Sequence, residues 1–155
     1  MSRRGARLRD IGVREWWLMA RVGVVVSALS VLIRLCGVPG LLRLCAWRAP
    51  RPPADEARVV TCVDRVLGRH PGSGRSPCLK RSLVLYRYLG ASATDLEFCL
   101  GIRYAGAPDS GRGIRRLDGH AWLLRNGVPY LERNQRGVER FRVIYRYPAR
   151  DRSLA

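Results

Sequence analysis

The sequence predicts an α+β fold in which a layer of helices precedes a small antiparallel sheet. Three observations carry this. Apolar residues recur at helical spacing as far as Leu89, strict alternation takes over from Leu96, and Arg125-Asn126-Gly127 is a strong hairpin signal between two alternating runs. At 155 residues the chain has room for one domain, or one domain with a short helical appendage, and two large domains are excluded.

The elements follow in order. Residues from about Arg14 to Arg34 read as a helix that is apolar nearly all round, with Ser27 and Ser30 as polar interruptions, and such a helix must be covered by something. Gly37-Val38-Pro39-Gly40 breaks it, and Leu41 to Trp47 reads as a second, short helix. The proline cluster Ala49-Pro50-Arg51-Pro52-Pro53 is the expected internal boundary. Residues 1–50 are thus read as a helical segment for packing or docking, and residues 54–148 as the core. Asp55 and Glu56 fall in the first turn of the next helix, where carboxylates favour the positive end of the dipole. Val59, Val60, Val63, Val66 and Leu67 follow at helical spacing before Gly68. Cys62, among valines, is expected to be an inert buried thiol. His70 to Arg75 reads as a loop, with His70 a solvated surface residue beside Pro71.

Ser76-Pro77-Cys78 opens a further helix in a manner with mechanical content. Serine is a favoured N-cap, proline suits the first helical position because its missing N–H would have no partner there, and Cys78 falls in the first turn. A thiol at that place feels the helix dipole and free amide donors, both of which favour the thiolate. Leu79, Leu83, Tyr86 and Leu89 mark the apolar side and Gly90 the stop. Leu96 to Tyr104 then alternates as a strand, with Cys99 on the face opposite Leu96, Phe98 and Leu100. A glycine-rich loop leads to a second strand, Gly119 to Leu124, which carries His120. Val128 to Glu132 is the returning strand, and Phe141 to Tyr147 adds one more.

The formal charge of +17 is almost wholly arginine, since Lys80 is the sole lysine, and the arginines are scattered along the chain. Such basicity attracts anions in general. No zinc finger, helix-turn-helix or RNP-type aromatic strand accompanies it, so a specific nucleic-acid partner is not expected. Five cysteines, at 36, 45, 62, 78 and 99, form no close pair, and the two histidines are His70 and His120. Neither a disulfide framework nor a zinc site follows, no metal or cofactor is expected, and a reducing, cytoplasmic setting is. Ser2-Arg3-Arg4 faintly echoes an export signal, but Asp10 and Glu15 interrupt the basic stretch and no small-x-small cleavage site follows. The uninterrupted apolar run, Val22 to Ile33, falls short of the about 20 residues a membrane span needs. Peripheral membrane contact or partner docking through residues 14–47 stays open.

A thiol at a helix N-terminus, followed by a histidine on a strand and a polar residue on the next strand, is the order a cysteine hydrolase of the papain and transglutaminase type requires. The imidazole takes the thiol proton, a third group fixes the ring, and helix N-terminal amides hold the oxyanion. Residues 76–132 resemble the transglutaminase-like cysteine peptidases of lasso-peptide biosynthesis. The likeness runs from Ser-Pro-Cys-Leu-Lys-Arg-Ser-Leu-Val-Leu-Tyr through Gly-Ile-Arg-Tyr and Gly-His-Ala-Trp-Leu to Asn-Gly-Val-Pro-Tyr-Leu-Glu, and Arg14 to about Leu44 resembles that family's leading segment. The resemblance implies a leader peptidase with Cys78 as nucleophile and His120 as base. It implies a precursor peptide as substrate, with a leader-binding protein and an ATP-dependent cyclase acting in trans. The family's third residue is an aspartate. Here Glu132 stands in its place, with Asp118 and Asn134 as lesser candidates, and glutamate accepts the same hydrogen bond through a longer arm. That departure also admits a transglutaminase-like peptide-binding scaffold of impaired activity.

The hairpin decides whether Glu132 meets His120. A two-residue loop at Asn126-Gly127 pairs Ala121 with Glu132 and turns Glu132 away. A three-residue loop with Gly127 as a bulge sets His120 opposite Glu132, and this is the loop expected.

Overall fold

A computed structural model of the chain describes residues 12–47, 55–69, 77–90, 95–105, 116–132 and 135–148. The proline cluster, the His70 loop, the Ser76 cap, most of the loop between the first two strands, and Asn134 lie outside the described residues. Helices α1 (Val13–Trp47), α2 (Glu56–Arg69) and α3 (Pro77–Leu89) precede strands β1 (Leu96–Ala105), β2 (Arg116–Arg125) and β3 (Val128–Tyr130). A short α4 (Gln135–Val138) and strand β4 (Arg142–Tyr147) complete the order. The fold is α+β, as the sequence pattern predicts.

The expected break in the first helix falls at Gly37, whose φ of 65° lies in the left-handed region that glycine enters without a Cβ clash. Two helical stretches of α1 therefore meet at a kink. Val22, Val26 and Leu29 from the first, and Leu41, Leu42 and Cys45 from the second, are buried in the same core as α2, α3 and the sheet. The opposite side exposes Trp16, Trp17, Val24, Val31 and Leu35. Asp55 caps α2 by accepting the Arg58 N–H at 3.1 Å. Helix α3 buries Leu83, Val84, Leu85 and Leu89 and contacts α1, α2 and strands β1 and β2.

The sheet runs β3-β2-β1-β4 and its pairs are antiparallel. Alternation sends Leu96, Phe98, Leu100, Ala121 and Leu123 to the helical layer. Cys99, Trp122 and Leu124 go to the other face, where Val138 and Phe141 cover them. Strand β4 carries a bulge, since Leu100 pairs with Tyr145 but Gly101 with Val143.

The hairpin corrects the three-residue expectation. Arg125 pairs with Val128 and Leu123 with Tyr130, so the loop is Asn126-Gly127 alone, with φ of 52° and 79°. This is the left-handed pair of a primed turn, whose twist matches that of the strands it joins, and asparagine and glycine are the residues that tolerate it. The returning strand also stops at Tyr130, two residues short of Glu132, because Leu131 adopts φ 59° and leaves the extended region. Glu56 is more than a favourable charge at the start of α2. It accepts from Arg125 at 3.1 and 2.9 Å and from the Tyr130 hydroxyl, tying the hairpin to α2. The Arg125 guanidinium lies 3.9 Å from the centre of the Tyr130 ring.

Candidate active site

Cys78 occupies the first turn of α3, where backbone N–H groups have no intrahelical acceptor. Because β3 ends at Tyr130, the edge of β2 beyond it is open to this helix end. Residues 121, 123 and 125 turn their backbone groups toward that edge in an antiparallel ladder whose hairpin closes on Arg125 and Val128. The Ala121 carbonyl accepts the Ser82 hydroxyl at 2.9 Å, and the Ala121 N–H reaches the Cys78 sulfur. One peptide edge thus holds α3 at two points, Cys78 and Ser82, one helical turn apart.

His120 precedes this edge residue on β2 and its ring hydrogen-bonds the Cys78 side chain. The ring stacks on Trp122 at 5.9 Å between centroids with 16° between planes, and Phe141 closes on it at 5.2 Å. Glu132 Oε2 stands 3.3 Å from His120 Nε2. With Nε2 turned to the carboxylate, Nδ1 is the nitrogen left to serve the thiol. Both side chains are largely withdrawn from solvent, His120 to 26% and Glu132 to 13% exposure.

The electrostatics follow from this packing. Burial of the sulfur opposes ionisation. The hydrogen bond from His120, the N–H groups of Ala121 and Leu79, and the imidazolium charge outweigh it and hold the Cys78 thiol below its ordinary value. His120 is pushed up to about 9 by its bonds to Cys78 and then Glu132, against the opposing effect of burial. The other shifted thiols move the opposite way. Burial raises Cys45 and Cys62, and pushes Cys99 up to about 11. A thiolate–imidazolium pair is the state this arrangement favours, and such a pair can attack a carbonyl and protonate a leaving group.

Cys78, His120 and Glu132 line one pocket of about 410 Å³ with Asp64, Leu67, Gly68, Pro77 and Arg81. Asp118, the lesser candidate, pairs instead with Arg103 at 3.3 Å. The guanidinium of Arg103 in turn lies 4.7 Å from the centre of the Phe141 ring. Sequence reasoning misses Asp64, Arg81, Gly101 and Phe141. Gly101 pairs with His120 across the sheet. A Cβ there would lie 2.8 Å from Trp122 Cη2, so the glycine makes room for the ring beneath His120. An isolated glycine inside an alternating strand is the signal that could have found it, since it marks a bulge or a close approach. Among the described residues no group of three or more His, Cys, Asp or Glu could hold a metal ion.

A helix-borne thiol facing a sheet-borne imidazole, backed by a carboxylate, is the layout of the papain and transglutaminase class of folds. The chain belongs to the transglutaminase-like superfamily, whose family model matches residues 20–146, from within α1 to β4. No curated protein and no solved structure gives a significant match to it.

Proposed function

We propose that this protein is a cysteine peptidase that removes the leader from a ribosomally synthesised precursor peptide during lasso-peptide maturation. The observation that carries the chemistry is the His120 ring, bonded to the Cys78 thiol and set 3.3 Å from the Glu132 carboxylate. The thiolate of Cys78 attacks the scissile carbonyl carbon, an S–C bond forms, and the carbonyl electron pair moves to oxygen. Backbone N–H groups in the first turn of α3 face that developing charge. His120 gives its proton to the departing amine as the C–N bond breaks, leaving a thioester. It then takes a proton from water, whose oxygen displaces the sulfur to release the acid and restore the thiol. Glu132 holds the ring and stabilises the imidazolium.

The leader-removal reading is supported by the motif set between Ser76 and Glu132. A leader-binding protein and an ATP-dependent cyclase then act in trans. The exposed apolar side of α1, with Trp17 68%, Val24 70% and Leu35 73% accessible, is the surface we assign to the leader-binding protein.

Incubation with a lasso-type precursor peptide and a leader-binding protein, followed by mass spectrometry, tests the reading. Expected are leader and core products parted at one bond by the wild type and none with Cys78→Ala. Amine-linked products would make it an acyl transferase. An intact precursor retained by the protein would make it a peptide-binding scaffold.

A further inference from the structure

Glu132 reaches His120 only because the chain turns at Leu131, and that turn has a visible restraint. Arg81 donates from Nε to Asp64 Oδ1 at 2.6 Å and from Nη2 to Asp64 Oδ2 at 3.3 Å. Its remaining nitrogen, Nη1, donates to the Leu131 carbonyl at 3.0 Å. Leu131 has φ 59°, a left-handed conformation that achiral glycine enters freely, asparagine tolerates and other residues rarely adopt. A carbonyl pinned from outside is what such a residue needs to stay there. Arg81 follows Cys78 by three positions on α3, so the thiol and the pin stand on one helix face.

We propose that Arg81 is a positioning residue: by bridging Asp64 of α2 and the Leu131 carbonyl, it holds the left-handed turn that aims Glu132 at His120. The inference rests on the Cys78–His120–Glu132 reading above. The guanidinium suits the task because its rigid fork grips both carboxylate oxygens while a third N–H stays free for the carbonyl. Lysine offers a single point of charge and cannot span both partners at these positions. Helix α3 thereby acts as a common reference for the sulfur at one side of the imidazole and the carboxylate at the other.

The test reads His120 by NMR titration and needs no substrate. His70→Gln leaves His120 as the single histidine signal, and this protein is the reference. The groups that bear on the ring are Cys78 and Glu132 in direct contact, with Arg81 and Asp64 in the same pocket. The reference midpoint is expected at about 9. Arg81→Lys, which keeps the charge, and Arg81→Ala should each lower it by about one unit or more, as loss of an adjacent carboxylate does. Glu132→Gln should lower it by a similar amount, and the Arg81→Ala, Glu132→Gln pair should lower it no further than Glu132→Gln alone. The sign is diagnostic, because removing the Arg81 charge without moving Glu132 would raise the midpoint.

An unchanged or raised midpoint in both Arg81 variants, with Glu132→Gln still effective, overturns the positioning role and leaves a structural ion pair. If Glu132→Gln also leaves the midpoint unmoved, the Glu132 contact itself fails and takes the positioning role with it. If the titrations behave as expected but the precursor is not cut, the peptidase reading falls and the role of Arg81 stands. Should Arg81→Ala fail to fold, Arg81→Lys alone decides, its loss of the Leu131 contact again read as a lower midpoint.

Discussion

His120 Nε2 and Glu132 Oε2 meet at 3.3 Å although the strand register, extended past its end, would set Glu132 opposite Ala121 and on the other face. The contradiction is resolved by one residue. Leu131 leaves the extended region at φ 59°, the alternation of β3 ends with it, and the next side chain swings back to the imidazole. The contact between His120 and Glu132 therefore rests on a turn and not on a ladder.

The first prediction concerns that carboxylate. Glu132→Gln should lower turnover by about 100-fold, the low end of what a positioned acid–base group contributes, with little change in melting temperature. Glu132→Asp keeps the charge on a shorter arm and should fall between the two. Steady-state kinetics on the precursor, beside thermal melts, would check both. A Gln variant as active as the wild type would remove Glu132 from the mechanism.

Reactivity against pH is the second. The thiolate of Cys78 forms as pH rises through its lowered value, and the His120 imidazolium persists to about 9, so the reactive ion pair fills the window between. Turnover should rise along the first limb and fall as pH passes the second. Iodoacetamide at neutral pH should modify Cys78 ahead of Cys45, Cys62 and Cys99, whose thiols burial raises. His120→Ala should move the Cys78 wave to higher pH. Peptide mapping that finds another cysteine labelled first would sink the assignment.

Gly101 gives a third test. A side chain there meets Trp122 Cη2 at 2.8 Å, Trp122 Cζ3 at 2.9 Å and the Arg142 carbonyl at 3.0 Å, and neither ring nor backbone can swing clear cheaply. Gly101→Val should cost about 1–3 kcal/mol by urea denaturation. It should also depress turnover, since the displaced indole is the platform on which His120 stacks. Wild-type stability and activity in this variant would show the platform to be dispensable.

The two sides of α1 should answer differently. Leu42 is fully buried, so Leu42→Ala should cost about 2–5 kcal/mol. Trp17 is 68% exposed, and Trp17→Glu should alter stability by no more than about 0.5 kcal/mol while weakening binding to the leader-binding protein in calorimetric titration. Unchanged binding, with loss of flotation on anionic vesicles instead, would assign this face to a membrane surface.

Residues that act through their neighbours in the chain are legible in the amino-acid sequence itself. Helical spacing, alternation, the Gly37 break and the Asn126-Gly127 turn are set by backbone sterics over a few residues, and a thiol in the first turn of a helix has its chemistry set there too. So the α+β order can be read directly, while Cys78, His120 and Glu132 are named as a set only through the resemblance that residues 76–132 carry. The length of the turn is not legible in the same way, because both loops suit Asn-Gly. The three-residue choice is tied to a need for Glu132 that the register does not serve.

What tertiary structure alone decided are the contacts between residues far apart in sequence. Arg81 and Leu131 are 50 positions apart, Glu56 and Arg125 69, and Ser82 and Ala121 39. No local pattern encodes such pairs, because arginine and glutamate at exposed-looking helix positions read alike whether solvated or clamped. Their partners are chosen only when α2, α3 and the hairpin close on one core. The left-handed Leu131 is the clearest case: its own preferences oppose that conformation, and a carbonyl held by a distant guanidinium is what overrides them.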